Sequence, residues 1–432
     1  MFLISTYVHF IIYVFSLSLS FSMQTKIVLP FKRYYENIKE SNYITKNYLN
    51  YLGTELKVGS PSQSIIVNFN SSTNGLWLLS SESNLALPTY DMSASSSAKA
   101  SLEHTTVVKD PILEEGQLIS DIFYVNKHNL ENIEFYLGTK VQKFNMNSGV
   151  IGLDLTSDNF YFNKIMFIKQ LKQKDYISSY GFYLQYDNED SYNEGELHIG
   201  EYPHISDSNY PKDKLVLYRT AIDNGDLKWG LTFSNIQNNA TPFEIGTQGF
   251  LKFEYGFIIG TYEYNELIYE TYFKEYMDNG KCQKIFSDVY NASSYSCNSE
   301  IDLDKFPLLF FNVDSINKIF NFTGKDLFVY DKEKNIYNFM VVFGTNPVHG
   351  KWILGAPFLK RYTILFDSDR KIIGVYNIEK IRGGSLFWVW MIIIVMILLI
   401  GFMVYYLIKR KKMRRYKGNT IENKESNQYV KV

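Results

Sequence analysis

The sequence predicts an all-β fold with little helix. The chain has 432 residues, and aromatic side chains, mostly Tyr and Phe, make up 17% of them. Short apolar runs such as 180–186 and 214–220 alternate with turn-forming residues, which is the pattern of many short strands. Helical periodicity is confined to two segments, 160–173 and 264–277. Many short strands and few helices favour a sandwich or a barrel.

A weak internal repeat indicates that this β structure is duplicated. Segments 67–77 and 251–261 both read apolar-polar-Phe-polar and then enter a turn. Segments 148–153 and 351–358 both place a glycine after two apolar residues inside a buried run. Each half therefore contains a strand and turn, followed further along by an apolar-apolar-Gly run. Two copies of one β lobe would produce this arrangement.

The two ends of the chain predict a single-pass membrane protein that enters the secretory pathway. Residues 1–22 are apolar or small and are typical of a signal peptide. Residues 386–408 are uncharged, and their length is enough to span a hydrocarbon core of ~30 Å. The tail, 409–432, begins with a dense basic cluster, which predicts a cytoplasmic location. The body is then extracellular or lumenal, at the plasma membrane or in an endolysosomal or vacuolar compartment.

Composition narrows the classes of partner. The net charge is −1, and the tail carries nine Lys or Arg residues and two Glu, a net charge of +7. The rest of the chain therefore has a net charge of −8, and nothing indicates a nucleic-acid partner. The six His residues show no paired spacing, and we expect neither a metal site nor a cofactor. We expect the body to be a monomer.

The cysteines and the glycosylation sequons fit an oxidising compartment. Cys282 and Cys297 are the only cysteines, and a disulfide is favoured over free thiols. Asn239, Asn291 and Asn321 begin Asn-x-Ser/Thr sequons in segments that are expected to be exposed, so we expect glycans there. Asn70 also begins a sequon, in a turn that is expected to become buried.

Several segments resemble the pepsin family of aspartic proteases, and the resemblance extends over residues 48–378. They are YLGTELKVGSPSQSIIVNFNSSTNGLWLLSS (51–81), NSGVIGLDL (147–155), GFYLQYDNEDSYNEGELHIGEY (181–202) and KWILGAPFLKRYTILFDSDRKIIGVYN (351–377). The last block is the most specific.

The resemblance implies a bilobal acid-protease fold, with two duplicated β-barrel-like lobes around a central cleft. The N-terminal lobe would span 45–215 and the C-terminal lobe 216–380, preceded by a short propeptide-like segment, 23–44. It also implies an aspartic endopeptidase activity.

The first half departs from the family where the chemistry is done. The family mechanism needs two carboxylates, one from each lobe, that share a proton. Aligned without a gap as far as Trp77, the chain puts Asn70 at the first carboxylate, Ser71 at the following Thr and Ser72 at the Gly. An amide cannot accept the proton of a bound water at neutral pH.

The second half departs as well. Matching Gly256 to the family glycine puts Glu254 at the second carboxylate and Tyr255 after it, whereas a shift of one residue would put Phe253 there. In the flap, the hairpin that closes the family's cleft, Lys109 falls where the family has a Tyr. The resemblance thus implies that the residues of the cleft and flap include Ser71, Ser72, Trp77, Lys109, Tyr255 and Gly256.

Two functions follow from these departures. The first is a catalytically inactive, membrane-anchored homologue whose cleft binds extended peptides or serves as a scaffold. Within this interpretation, Tyr255 and Phe257 could instead fill the cleft. The alternative is an active endopeptidase with a divergent dyad, in which Glu254 acts with Asn70.

Overall fold

A computed structural model gives the structure of the protein. It describes residues 26–35, 44, 50–83, 88–106, 113–126, 128–141, 148–155, 165–187, 193–223, 225–288, 290–344, 351–377, 396, 399, 401–403, 405, 406 and 409. The chain divides into two compact units, Met1–Asn377 and Ile378–Val432. The predicted signal peptide lies outside the described residues.

The first unit is mostly β, as expected, and its strands form two large sheets and one small hairpin. The first sheet has 13 strands. They are β1 Ile27–Tyr35, β2 Asn50–Val58, β3 Gln63–Asn70, β4 Asn74–Leu79, β5 Lys99–Thr106, β6 Leu113–Val125, β7 His128–Val141, β8 Gly149–Leu153, β9 Gly181–Tyr186, β10 Glu194–Ile199, β11 Leu215–Arg219, β25 Ile364–Asp367 and β26 Ile372–Tyr376.

The second sheet has 11 strands and lies entirely in the second half of the body. They are β14 Gly230–Asn238, β15 Thr241–Leu251, β16 Ile258–Gly260, β17 Cys282–Ser287, β18 Ala292–Asn298, β19 Leu309–Val313, β20 Lys318–Phe322, β21 Phe328–Asp331, β22 Ile336–Phe339, β23 Val341–Gly344 and β24 Lys351–Leu354. The hairpin of β12 Ala221–Asp223 and β13 Asp226–Lys228 precedes them.

Helices in the described part of the body are short. They are α1 Phe167–Gln173, α2 Pro203–Ser206, α3 Tyr262–Ile268, α4 Lys274–Asp278, α5 Gly324–Leu327 and α6 Ala356–Arg361, with a π-helical turn, Tyr269–Phe273, between α3 and α4. The longest helical stretch therefore falls on the predicted segment 264–277. The other predicted segment, 160–173, contributes α1 at its end, and its residues 160–164 lie outside the described part.

The sheet order confirms the internal repeat. The first sheet contains the run β3-β8-β4-β7, and the second contains β15-β24-β16-β23. In each run the second strand lies parallel to the first and antiparallel to the third. In each half, therefore, the strand with the apolar-apolar-Gly run lies between the two strands that flank a turn.

The first sheet also includes strands from both ends of the body. Strands β25 and β26 and the start of the second predicted lobe, β11, extend it beyond β9. At the other end of the sequence, β1 lies between β10 and β2, and its side chains Ile27, Leu29 and Phe31 are buried. The propeptide-like segment thus contributes an inner strand of the sheet.

A buried histidine lies next to β1 and carries a pH prediction. His198 in β10 pairs with Val28 of β1, stacks on Tyr183 and has Glu196 at 3.0 Å and Glu201 at 3.9 Å. Lys26 Nζ, at the start of β1, lies 2.7 Å from the same Glu201. Burial is the main cause that lowers the pKa of His198 below 6.5; the Lys26 charge adds to this, and the two carboxylates oppose it.

We expect this histidine to make the protein less stable in acid. The pKa of His198 in the folded protein lies below its unfolded value of 6.5, so the unfolded chain binds more protons than the folded protein. The contribution of His198 to stability is therefore full above pH 6.5 and is lost as the pH falls from 6.5 through the folded pKa. Urea unfolding between pH 7.5 and 5.5 would measure the slope, and His198→Phe, which keeps the ring stacked on Tyr183, should reduce it. An unchanged slope in this variant would assign the acid sensitivity to other groups.

The predicted disulfide is confirmed. Cys282 and Cys297 are bonded and face each other across the β17–β18 pair.

In the second unit, the described residues are helical and end at Lys409. None of the helices among the described residues combines the length and apolar character needed to cross a membrane. The predicted segment 386–408 lies largely outside the described part.

Candidate active site

The two halves of the body each present a turn, and the strand register relates the two turns residue by residue. In the first sheet, Val150 of β8 pairs with Asn68 of β3 on one side and with Trp77 of β4 on the other. In the second sheet, Ile353 of β24 pairs with Phe250 of β15 and with Ile259 of β16. The partners of the central strand are nine residues apart in both sheets. The two turns are therefore equal in length.

This register places Lys252, rather than Glu254 or Phe253, at the position equivalent to Asn70. Asn70 lies two residues beyond Asn68, and Lys252 lies two residues beyond Phe250. By the same count Phe253 is equivalent to Ser71, and Glu254 is equivalent to Ser72. The sequence alignment was therefore displaced by two residues in the second half.

The displacement has a simple cause. The alignment took Gly256 for the glycine that follows the family carboxylate, but the register makes Gly256 equivalent to Asn74. Nothing in the residues around Lys252 marks it as a site residue. The signal that could have found it is the length of the turn, since both turns connect the strands on either side of an apolar-apolar-Gly run.

Glu254 nevertheless reaches the first turn and binds it closely. Its Oε2 accepts hydrogen bonds from the Ser71 hydroxyl at 2.7 Å and from the Ser71 backbone N–H at 3.2 Å. Its Oε1 accepts from the Ser72 hydroxyl at 3.0 Å. The Glu254 carboxylate is thus held by three donors from the opposite half of the body.

Asn70 and Lys252 both contact the same serine. The backbone N–H of Ser72 donates to Asn70 Oδ1 at 2.6 Å, and Lys252 Nζ donates to Ser72 Oγ at 2.5 Å. Ser72 is exposed, while Asn70, Lys252 and Glu254 are each half-buried. The centre of the site therefore holds an amide, an ammonium group, two hydroxyls and one carboxylate.

A second carboxylate lies beneath this cluster and is already paired. Asp154, directly after β8, is buried, and its Oδ2 lies 3.1 Å from Lys228 Nζ in the other half. Burial raises the pKa of Asp154, and the charges of Lys228 and then Lys252 oppose that shift. The backbone N–H of Leu155 also donates to Oδ1. Asp154 thus links the two halves and is not a free base.

A family model for "Eukaryotic aspartyl protease" matches residues 50–377 of the chain. The chain belongs to this family. A search of curated proteins returned no match. Asn70 and Lys252, which depart from the family pattern, lie at register-equivalent positions in the two central turns of this fold.

Family membership does not make every predicted cleft residue part of the site. Trp77 is buried, stacks on Tyr136 at 5.1 Å between ring centroids, and donates through Nε1 to Asn74 O. It therefore supports the first turn from within a core cluster and does not line the cleft. Gly256 is also buried. Lys109 of the predicted flap lies outside the described residues.

The aromatic residues of the second turn divide between the core and the site. Phe253 is fully buried and packs edge-on against Phe182 and Phe366. Tyr255 is half-buried and lies beside the buried Phe257, and burial, followed by the Glu254 charge, raises the pKa of its hydroxyl. Phe253 therefore holds the turn in the core, leaving Lys252 and Glu254 to form its polar part.

The remaining predicted site residues lie elsewhere on the body. Asn239, Asn291 and Asn321, the predicted glycan acceptors, are all exposed. Within the described residues, no group of three or more His, Cys, Asp or Glu side chains is arranged to hold a metal ion.

Proposed function

We propose that this chain is a non-proteolytic member of the aspartyl protease family that uses its cleft to bind extended peptides. The proposal rests on one observation above the others. The register-equivalent positions of the two central turns hold Asn70 and Lys252, neither of which is a carboxylate. The proton shared between two carboxylates, on which the family chemistry depends, has no pair of groups to hold it there.

The remaining carboxylates support the proposal because each is engaged in joining the two halves. Glu254 accepts from Ser71 and Ser72, and Asp154 pairs with Lys228. A general base must be free to accept a proton from a water that it contacts. A carboxylate that already accepts three hydrogen bonds from the opposite turn stabilises the arrangement of the turns instead.

Peptide binding is favoured over a purely structural role by the exposure of the site. Ser72, which contacts Asn70, Lys252 and Glu254, is exposed, so this polar cluster is open to solvent. Extended peptides bind through main-chain hydrogen bonds along such a cleft. We further propose that residues 1–22 direct the chain into the secretory pathway, that 386–408 anchor it, and that Asn239, Asn291 and Asn321 carry glycans on the extracellular or lumenal body.

Proteolysis tests this function directly. The full chain in detergent micelles, incubated with a diverse peptide library from pH 3 to 7, should produce no cleavage, with or without the aspartic-protease inhibitor pepstatin. A fluorescent peptide from the same library should show saturable binding. Cleavage that disappears in Glu254→Ala would sink the proposal and establish a peptidase with a divergent dyad.

A further inference from the structure

We propose that the centre of the cleft recognises a carboxylate group on its ligand, and that Lys252 and Asn70 bind that group. The inference rests on the proposed peptide-binding function and names the chemistry of the ligand. The evidence is the hydrogen-bonding of the central cluster, in which Asn70 and Lys252 have donors that no acceptor among the described residues takes up.

The Asn70 amide presents donors rather than acceptors. Its Oδ1 accepts the backbone N–H of Ser72 at 2.6 Å, which fixes the orientation of the side chain. The Nδ2 group is therefore the part directed away from that bond, and among the described residues it donates no hydrogen bond. An amide NH₂ group can donate two hydrogen bonds and accept none.

The Lys252 ammonium group is similarly under-used. Its hydrogen bond within the described residues goes to the neutral Ser72 hydroxyl, and an ammonium group can donate three. The nearby carboxylates have other partners, since Glu254 accepts from the two serines and Asp154 lies 3.1 Å from Lys228 Nζ. Both Lys252 and Asn70 contact Ser72, so their free donors lie around one exposed residue.

The charge balance separates this cluster from the centre of a working aspartic peptidase. A dyad that shares one proton carries a net negative charge, which repels an anionic ligand group. Here the charges of Lys252 and Lys228 balance those of Glu254 and Asp154. A carboxylate has two oxygens, one able to accept from an amide and the other from an ammonium group, and bonds of this charge-assisted kind are the stronger ones.

The carboxylate could come from an acidic side chain, from a peptide C-terminus or from a free anion, and three peptides and two small molecules separate these sources. The first is an N-acetylated, C-amidated peptide with a central Asp, and the second is its Asn analogue. The third is the Asn analogue with a free C-terminal carboxylate. Acetate, with acetamide as its neutral control, competes as a free anion. Fluorescence anisotropy with the full chain in micelles measures each Kd.

We expect at least one acidic probe to bind about tenfold more tightly than its neutral counterpart, a difference of about 1.4 kcal/mol. Lys252→Met should remove this preference, Lys252→Arg should keep most of it, and Asn70→Asp should reverse it by placing a negative charge at the site. Thermal unfolding of each variant confirms that it is folded. The Arg variant keeps the test decisive if the Met variant is unstable.

The outcomes separate this inference from the proposed function. Equal binding of acidic and neutral probes, or an acid preference that persists in Lys252→Met, overturns carboxylate recognition and leaves the peptide-binding function intact. Cleavage of any probe overturns the non-proteolytic function, whatever the charge preference. Acid preference without cleavage supports both.

Discussion

Replacing Gly355 with alanine is expected to lower the free energy of unfolding by about 3 kcal/mol, because the new methyl group would overlap the second turn. A Cβ at this position would lie 2.2 Å from Phe257 O and 2.5 Å from Tyr255 O. Both are backbone atoms that cannot move without displacing the turn that carries Lys252 and Glu254. The variant should therefore also weaken peptide binding. Urea unfolding and anisotropy of the full chain measure the two effects.

The first sheet supplies a matched variant. Gly152 occupies the equivalent place in β8, and its Cβ would lie 2.5 Å from Thr73 O in the turn that carries Asn70. Gly152→Ala should be destabilising to a similar extent. Gly116→Ala is the control, since its Cβ would meet its nearest atom, Leu137 O, at 3.2 Å. Equal losses in all three variants would mean that the turns are no tighter than the rest of the sheets.

The architecture could be predicted from sequence because its signals are local. Strand-like runs such as 180–186 and 214–220 became β9 and β11, and the helical segment 264–277 became α3, the π-helical turn and α4. The duplicated strand-turn pattern was visible because apolar residues must recur wherever a strand is buried on both faces. These features depend on the chemistry of neighbouring residues, which the sequence contains directly.

The site was predicted only in part because it depends on register. The first block aligns without a gap as far as Trp77, and Asn70 pairs with Gly152 of β8. In the second block one glycine was the only anchor, and a displacement of two residues keeps every side chain on the same face of a strand. The apolar pattern therefore could not distinguish Lys252 from Glu254. The hydrogen bonds of β15 and β16 with β24, which lies distant in sequence, make that distinction.

Lys228 shows a related limit. It pairs with Asp154, which comes from the other half of the chain, and no local motif connects the two residues. The pair becomes evident only once the hairpin of β12 and β13 is packed near the end of β8, where Trp229 Nε1 also donates to Leu153 O at 2.7 Å. Contacts between halves are the part of a duplicated fold that neither repeat encodes alone.

We expect the pH dependence of stability to have opposite signs in two variants, one with a single carboxylate at position 70 and one with carboxylates at both equivalent positions, 70 and 252. In Asn70→Asp, the new carboxylate lies near Lys252, whose charge should lower its pKa. The resulting stabilisation is present above the unfolded pKa of about 3.9 and is lost as the pH falls through the lower folded value.

The double variant Asn70→Asp/Lys252→Asp should behave in the opposite way. Two carboxylates at the register-equivalent positions cannot both ionise without repulsion, so the pKa of the second ionisation of the pair should rise by about one to three units. The folded protein then binds more protons than the unfolded chain, and stability should decrease as the pH rises toward 7, by about 1.4 to 4 kcal/mol.

Urea unfolding of both variants from pH 2.5 to 7 makes the comparison, with Asn70→Asp/Lys332→Asp as the control. Lys332 is exposed in the turn between β21 and β22, so this control changes the total charge equally without changing the site. Opposite slopes for the single and double variants, with the control following the single variant, would establish that Lys252 lies opposite Asn70. If the double variant follows the control, the position opposite Asn70 belongs to another residue, and both the register equivalence and the role of Lys252 in binding carboxylates would be wrong.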